Sequence, residues 1–278
     1  MQDILIPSHE DTLAATIFDS KDADAILIIA SATGVKQSYY RDFAQFMCAR
    51  GMTVVTFDYL GIGKSLHGPI KKLTHSAADW GTRDLESVLA YALEHYPEHK
   101  RYLLGHSIGG QLIGLAKSAV NMNKIILVAA QSGYWKYWPG FSKVRMWANW
   151  YLLFPPLLLL FGYLPSKKIS GMENLPRNVA KQWSGWGRKK DYLLSEISLE
   201  ETVYHQIKAA LTSFSIDDDD FAPKEAVEWM VASYAKAKKK SIHLMPSTYE
   251  VSKIGHFGIF KKGFEGSIWQ DLLKELKE

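Results

Sequence analysis

The pentapeptide Gly-His-Ser-Ile-Gly at residues 105–109 is the feature that most constrains how this chain of 278 residues can fold. An apolar run precedes it, and the amphipathic stretch over residues 111–119 is typical of a helix. A strand, a sharp turn and a helix in that order hold Ser107 in a strained backbone conformation at the end of a sheet. Gly105 and Gly109 fit this interpretation, because residues beside such a turn need to be almost free of side chain. We therefore predict that Ser107 is a nucleophile on an elbow between strand and helix.

Apolar strands alternate with helical patterns on both sides of this elbow. Continuous apolar runs at residues 25–30, 53–57 and 124–130 are typical of parallel strands that are buried on both faces. Helical patterns lie at residues 39–50 and 77–96. This alternation predicts an α/β fold with a mostly parallel central sheet and helices on both faces.

The alternation is interrupted over residues 133–205, a segment rich in tryptophan and tyrosine. It then resumes with a strand at 208–216, a helix at 222–236, a strand at 241–245 and a helix at 264–277. We predict a core formed by residues 1–132 and 206–278, with residues 133–205 inserted as a helical cap over the edge of the sheet.

Within the predicted cap, residues 147–165 contain no charged side chain. Such a run approaches the roughly 20 residues that a membrane-spanning helix needs. Pro155 and Pro156 are expected to divide it into two short segments. In addition, strands that join one sheet cannot lie on opposite sides of a bilayer. We therefore expect no membrane span; a lid over the site is the favoured interpretation, and peripheral contact with a membrane is the alternative.

Composition bounds the partners and the compartment. A formal net charge of +4 is small for this length and does not favour nucleic acid as a partner. Residues 238–240, three lysines, are interpreted as a solvated helix end. Cys48 is the only cysteine, which excludes an intramolecular disulfide and favours a reducing, cytoplasmic location. The first residues lack the basic and apolar regions of a signal peptide.

Two further motifs resemble ligand-binding loops, one for phosphate and one for calcium, but their spacing fits neither. Residues 63–65, Gly-Lys-Ser, end like a phosphate-binding loop, but Asp58 stands where that loop requires glycine. Residues 217–220 are four aspartates, and calcium is one way to use them. Counted from the first of them, however, Ala222 occupies the position where a calcium-binding loop needs glycine. A turn after a strand explains both motifs.

A serine hydroxyl becomes a nucleophile only when a base lies within hydrogen-bond reach and an acid orients that base. On an architecture of this kind, the acid and then the histidine follow the serine in the chain. The aspartates of residues 217–220 come directly after one predicted strand, and His256 comes after the last one. Because ligands bind at the carboxyl ends of parallel strands, we expect His256 and one of these aspartates to lie beside Ser107.

The chain resembles proteins of the α/β-hydrolase fold and is similar to their capped serine-aminopeptidase and monoacylglycerol-lipase-like branch. The resemblance covers residues 25–130 and 208–277 and rests on the motifs at residues 58–65, 105–110, 219–223 and 255–258. In the acid motif of this family, the catalytic aspartate precedes a proline by four residues. The resemblance therefore implies Asp219, with Asp218 and Asp220 as alternatives.

The resemblance also implies an oxyanion hole, which needs two backbone N–H groups. In this family the loop after the first central strand often reads His-Gly followed by the donor residue, whereas this chain has Thr33, Gly34 and Val35. The N–H groups of Val35 and Ile108 are the expected donors. No metal ion and no organic cofactor is implied.

The expected activity is hydrolysis of a carboxylic ester or thioester through an acyl-enzyme at Ser107. The uncharged run at residues 147–165 favours a substrate with an apolar acyl or alcohol group, because large exposed apolar surfaces normally mark binding sites. Two alternatives stay open. An acyltransferase would use the same three residues with an alcohol or amine in place of water, and an inert protein would keep the fold as a binding module.

Overall fold

The protein is built around one eight-stranded sheet, seen in a computed structural model that describes residues 1–278. The strands of the chain are β1 (Gln2–Ser8), β2 (Asp11–Phe18), β3 (Ala25–Ala30), β4 (Met52–Phe57), β5 (Lys100–His106), β6 (Lys124–Val128), β7 (Tyr163–Leu164), β8 (Leu175–Pro176), β9 (Ala210–Ile216) and β10 (Lys238–Leu244). The main sheet has the order β1-β2-β4-β3-β5-β6-β9-β10, and β7 pairs with β8 in a separate small sheet. In the main sheet, the strands from β4 to β10 run parallel, and β2 is antiparallel to both of its neighbours.

Helices connect these strands on both faces of the sheet. The α-helices are α1 (Arg41–Cys48), α2 (Ala77–Asp79), α3 (Glu86–His95), α4 (Ile108–Gln111), α5 (Gly140–Ala148), α6 (Phe154–Phe161), α7 (Ser166–Ile169), α8 (Arg177–Gly187), α9 (Lys224–Ala232), α10 (Gly255–Gly258) and α11 (Ile268–Lys277). Segments of π-helix at Trp80–Leu85 and Asn149–Leu153 join α2 to α3 and α5 to α6. The mostly parallel α/β architecture that the sequence predicts is confirmed. Every residue of β3 and β4 is buried, as their continuous apolar runs require.

The prediction of one helix over residues 111–119 is wrong. Helix α4 ends at Gln111, and only short 3₁₀ turns follow it. The hydroxyl of Tyr204 donates to the Gln111 carbonyl oxygen, and the Val203 N–H donates to the Gly114 carbonyl oxygen at 2.7 Å. A segment distant in sequence therefore takes acceptors that a continuing α-helix would need.

Two features at the edges of the sheet also differ from the sequence interpretation. Strand β1 pairs with β2 at one edge, although its alternation of exposed and buried residues contains no long apolar run. At the other edge, residues 238–240 begin strand β10 and are not a helix end. The Lys240 Nζ atom lies 2.6 Å from Glu275 Oε1, so one of these lysines ties the edge strand to α11.

Residues 133–205 lie between β6 and β9, which are adjacent in the sheet. The expected division of this segment at Pro155 and Pro156 is wrong, because one continuous helix runs over Gly140–Phe161. Its π-helical segment comes directly before α6, and the prolines occupy the first turn of α6. The wider turn accommodates the two missing N–H donors without breaking the helix.

Candidate active site

Ser107 lies on the sharp turn between β5 and α4. Its backbone has φ 53° and ψ −120°, a strained conformation for a residue with a side chain. A Cβ atom at Gly105 would come within 2.4 Å of the Gly110 Cα atom. One at Gly109 would come within 2.2 Å of the Ala30 carbonyl oxygen. Only glycine fits at these two positions, and the turn that they permit places Ser107 at the carboxyl end of a central strand.

Asp219 and His256 are in direct contact beneath the surface. The His256 Nδ1 atom lies 2.7 Å from Asp219 Oδ2, and the two side chains are 4% and 0% exposed. The other carboxylate oxygen, Oδ1, accepts the N–H groups of Phe221 at 2.7 Å and Ala222 at 3.0 Å. These contacts fix the orientation of the carboxylate and aim one of its oxygens at the imidazole.

The neighbouring aspartates have other partners. Asp218 accepts the N–H groups of Ile254 at 3.0 Å and Gly255 at 2.9 Å, so it shapes the loop that carries the histidine. Asp217 Oδ1 lies 3.3 Å from His243 Nε2 near the surface. Because these carboxylates point to different partners, no group of three acidic, histidine or cysteine side chains converges as a metal site.

The third predicted member, Ser107, follows His106, whose ring is centred 5.0 Å from the His256 imidazole. Ser107 itself forms no hydrogen bond with His256. The two residues are 5% and 6% exposed. Since Asp219 takes the Nδ1 atom of the imidazole, only Nε2 is left to act on the serine hydroxyl. Hydrogen bonds of this kind often form or shorten only when the substrate is bound.

His106, the residue before the serine, is hydrogen-bonded to two other parts of the site: through Tyr40 to the loop after β3, and directly to the loop that carries His256. The Ala32 N–H donates to the Tyr40 hydroxyl at 2.9 Å, and that hydroxyl lies 2.8 Å from His106 Nδ1. The His106 Nε2 atom lies 3.0 Å from the His256 carbonyl oxygen. A carbonyl only accepts, so Nε2 carries the proton and Nδ1 accepts from tyrosine. Burial lowers the pKa of His106 well below its ordinary value, which keeps this tautomer neutral.

In the loop expected to form the oxyanion hole, one N–H group is already bonded within the loop. The Val35 N–H donates to the Ala32 carbonyl oxygen at 3.1 Å and closes a turn. The N–H groups of Thr33 and Gly34 have no acceptor. Ile108 is the first residue of α4, where N–H groups have no partner within the helix. Val35 therefore stays the predicted donor opposite Ile108, with Thr33 and Gly34 as unbonded alternatives in the same loop.

An apolar cavity of about 170 Å³ lies beside the acid loop. Its walls come mainly from residues 133–205, the predicted cap, and include Trp138, Met146, Trp150 and Phe154. Phe221 also lines it, and the phenyl ring of Phe221 is centred 5.4 Å from the His256 imidazole. One wall of the cavity therefore touches the candidate base.

The motif that resembles a phosphate-binding loop forms a structural turn. The Asp58 carboxylate accepts the N–H groups of Gln37 at 2.7 Å and Lys64 at 2.9 Å. A Cβ atom at Gly63 would come within 2.4 Å of Asp58 Oδ2, so the glycine is needed for this contact. Burial raises the pKa of Asp58. The backbone donors of the turn are thus occupied by a carboxylate of the chain itself.

Sequence reasoning missed several side chains around this site. Gln131 lies in the cavity wall and donates to the Phe221 carbonyl oxygen at 3.0 Å. Its place directly after a predicted strand is a signal that could have drawn attention to it. No sequence signal indicates Tyr192 or Trp138, whose polar atoms reach the same region from the cap.

Comparison with known proteins places this geometry in a family. A family model described as serine aminopeptidase, S33, matches residues 21–182, which is more than half of the chain. The chain belongs to this family and is a serine hydrolase with the α/β-hydrolase fold.

Solved structures share the fold at low sequence identity. A soluble variant of monoglyceride lipase from Saccharomyces cerevisiae, in complex with a substrate analog, matches with a TM-score of 0.75 and 12% identity, over 99% of this chain and 94% of that one. An esterase from Pyrococcus furiosus matches with a TM-score of 0.65 and 18% identity, over 99% and 90%. Est1E from Butyrivibrio proteoclasticus, with ferulic acid bound, matches with a TM-score of 0.65 and 14% identity, over 99% and 100%.

Proposed function

We propose that the protein cleaves a carboxylic ester or thioester by a mechanism that uses serine, histidine and aspartate. The observation that carries this proposal is the buried 2.7 Å contact between Asp219 and His256 in the same region as the strained Ser107. The solved relatives that are named a lipase and an esterase support an ester as the substrate.

In the proposed reaction, Ser107 Oγ bonds to the substrate carbonyl carbon while His256 Nε2 takes the hydroxyl proton. The Ile108 N–H, together with that of Val35 or of its unbonded neighbours Thr33 and Gly34, donates to the oxygen that becomes negatively charged; each such donor contributes about 3 kcal/mol. When the intermediate collapses, the bond to the leaving alcohol or thiol breaks, and the imidazole returns the proton to it. Water then repeats both steps, which releases the acid and restores the serine. Asp219 orients the ring and stabilises its cation.

The apolar cavity supports a substrate with an apolar acyl or alcohol group. Of its 16 lining residues 11 are hydrophobic, and Phe221 connects it to the imidazole. Each methylene that is buried there contributes about 0.8 kcal/mol. A chain seated in the cavity would hold the scissile carbonyl close to the base.

Labelling with a fluorophosphonate probe tests the proposal. We expect one equivalent of label on Ser107 and turnover of an activated ester, and we expect Ser107→Ala to abolish both while leaving the melting temperature unchanged. An unlabelled wild-type protein would favour the inert binding module. Faster release of the acyl group to an added alcohol than to water would favour the acyltransferase.

We further propose that the cap helix Gly140–Phe161 binds the surface of an anionic lipid bilayer. The helix is long and apolar enough, by length and composition, to cross a membrane, and only 22% of its apolar window is buried. Phe141, Leu159 and Leu160 are 81%, 79% and 75% exposed. Because the chain leaves one strand of the sheet and returns to the next, a helix lying on the bilayer is favoured over a span.

The charges around this helix favour anionic lipid over another apolar partner. Lys143 and Arg145 lie on the helix, and Lys168 follows it, next to Lys167, which is paired with Glu173 at 3.3 Å. No acidic residue stands between residues 98 and 173. Apolar side chains that insert among acyl chains and lysines that pair with lipid phosphates are the two components of such binding.

Sedimentation with vesicles of phosphatidylcholine, with and without phosphatidylglycerol, tests this interaction. We expect binding only when the anionic lipid is present, and loss of binding in the double variant Leu159→Ser with Leu160→Ser. Val120→Ser, at a half-exposed position on the core, is the control. No binding to anionic vesicles, or a dimer in light scattering that the double variant disperses, would contradict the proposal.

A cytoplasmic location is also proposed. Cys48 is the only cysteine and is unpaired. Proteins of reducing compartments lack stable disulfides, which is consistent with such a composition. Fractionation of cells that express the tagged protein would test the compartment.

A further inference from the structure

We infer that the cap positions the catalytic acid. Two peptide groups donate hydrogen bonds to Asp219, and two cap residues fix these peptides: Trp138 by a direct hydrogen bond and Tyr192 through a chain of hydrogen bonds. This inference rests on the role of Asp219 given under the proposed function. It assigns no chemical step to either cap residue. Both act through the loop that follows the aspartate, and they are therefore positioning residues.

The first contact is direct. The Trp138 Nε1 atom donates to the Asp220 carbonyl oxygen at 2.8 Å. An indole N–H can only donate and a carbonyl can only accept, so the direction of this bond is fixed. Trp138 is 2% exposed, and its ring also lines the apolar cavity.

The second contact is a chain of three buried side chains. The Tyr192 hydroxyl donates to Gln111 Oε1 at 2.7 Å, and Gln111 Nε2 donates to Gln131 Oε1 at 3.0 Å. Gln131 Nε2 then donates to the Phe221 carbonyl oxygen at 3.0 Å. Because that carbonyl can only accept, it sets the orientation of both amides and of the tyrosine proton. These side chains belong to residues that are at most 5% exposed.

The two carbonyl groups reached from the cap belong to the peptides that bind the acid. The Asp220 carbonyl and the Phe221 N–H are one peptide group; the Phe221 carbonyl and the Ala222 N–H are the next. Both N–H groups donate to Asp219 Oδ1, at 2.7 and 3.0 Å. Since a peptide group is planar and trans, its two ends cannot turn independently. Each peptide therefore links a side-chain donor, Trp138 for the first peptide and Gln131 for the second, to the catalytic carboxylate on its other side.

Tyr192 occupies its place at a conformational cost. Its φ is 49°, which is uncommon for a bulky residue. A Cβ atom at Gly133 would come within 2.6 Å of the Tyr192 ring, so the glycine is needed where the ring enters. Strained backbone of this kind persists only where surrounding contacts over-determine it, and it concentrates at functional sites.

The variants Tyr192→Phe and Trp138→Phe each remove one donor and keep an aromatic ring in place. Small misplacement of a catalytic group has large kinetic effects, so we expect each variant to lower kcat about tenfold. Tyr192→Phe should change KM little, whereas Trp138→Phe also alters a wall of the apolar cavity and can change KM. A looser contact with Asp219 also stabilises the imidazolium less. The acid limb of the pH profile should therefore move to lower pH in both variants.

The chain offers a matched control for each variant. The Tyr204 hydroxyl also donates to Gln111, but to its main-chain carbonyl oxygen, and it forms no hydrogen bond with the side-chain amide that continues the chain. Trp80 Nε1 donates to the Leu60 carbonyl oxygen at 3.0 Å; Trp80 is fully buried and does not line the apolar cavity. Tyr204→Phe and Trp80→Phe should lower the melting temperature as much as the test variants do. They should leave the acid limb of the pH profile where it is.

The measurements are kcat, KM and the pH profile on an activated ester, with melting temperatures and fluorophosphonate labelling for every variant. If a test variant does not fold, Gln131→Met breaks the same chain at its last bond. The inference is overturned if the test variants keep the wild-type acid limb, or if the controls lose as much kcat. In that case the wild-type protein is still labelled at Ser107, whereas failure of the proposed function leaves it unlabelled.

Discussion

Replacement of Asp219 by asparagine is an informative perturbation because the structure dictates how the amide would sit. Asp219 Oδ1 accepts two N–H groups, those of Phe221 and Ala222. An amide keeps both bonds only if its carbonyl oxygen takes that place. Its NH₂ group then faces His256 Nδ1, which must give up its proton in order to accept. The proton moves to Nε2, and the ring can no longer take the proton of Ser107.

The expected loss of kcat in Asp219→Asn depends on whether the asparagine amide can adopt the opposite orientation. Turning the NH₂ group toward the two backbone donors would leave both buried N–H groups unsatisfied, at about 1–3 kcal/mol each. Moving a proton between the two nitrogens of an imidazole costs much less, so the first orientation wins. The same tautomer change in a well-studied serine protease lowers kcat about 10⁴-fold. We expect a comparable loss here, equivalent to roughly 5.4 kcal/mol of transition-state stabilisation.

The assay is kcat on an activated ester, with the melting temperature as the test of folding. Asp218→Asn disturbs one of the bonds to Ile254 and Gly255 and should lower kcat far less, because Asp218 does not touch the imidazole. Asp217→Asn, at an exposed side chain, should have little effect. If a folded Asp219→Asn protein keeps one tenth of the wild-type kcat, or if Asp218→Asn is the more damaging change, Asp219 is not the acid.

Three further predictions follow from the same site. Ester hydrolysis should slow on acidification, because a histidine base accepts the serine proton only when it is neutral; a rate that does not depend on pH would argue against a histidine base. His106 has a lowered pKa, so the unfolded chain binds a proton that the folded protein excludes; the free energy of unfolding should fall below about pH 6.5, by at most about 1.4 kcal/mol per pH unit. Urea titrations should show this slope reduced in His106→Gln, and an equal slope would assign it to other groups. On nitrophenyl esters of increasing acyl length, kcat/KM should rise about three- to fourfold per methylene until the cavity is full; a steady decline beyond acetate would point to a small polar substrate.

Most strands of the core could be predicted because each is marked by a pattern within its own short stretch of sequence. The strands at residues 25–30 and 53–57 are apolar throughout, and burial on both faces of a parallel sheet explains that pattern. Strand β1 has no such run, because it is an edge strand with one face in solvent, and its sequence alone therefore does not indicate a strand. The helix expected over residues 111–119 was wrong because its interruption comes from Tyr204, ninety-three positions further along the chain.

The residues of the site also fall into two groups: those that the order of motifs along the chain predicts, and those that only tertiary contacts reveal. Ser107, Asp219 and His256 could be named because their motifs follow predicted strands in a fixed order. The choice of Val35 as an oxyanion donor depended on a turn whose hydrogen bond is invisible in the sequence. The partners of the acid loop depend on tertiary packing alone, and Tyr192 is separated from Gln111 by eighty-one positions.

The position at which residues 133–205 are inserted explains how the cap can contact the loop that carries Asp219. The chain leaves the sheet just after β6 and returns through β9, and these strands are neighbours. Asp219 follows the end of β9, so the root of the insertion and the acid loop lie side by side, and Gln131 bridges them with one hydrogen bond. Gln131 and Phe221 also line the apolar cavity. A substrate chain that fills this cavity therefore packs against the same residues that hold the carboxylate in place. Occupation of the cavity should steady the acid loop, so that a well-filled cavity raises kcat as well as lowering KM.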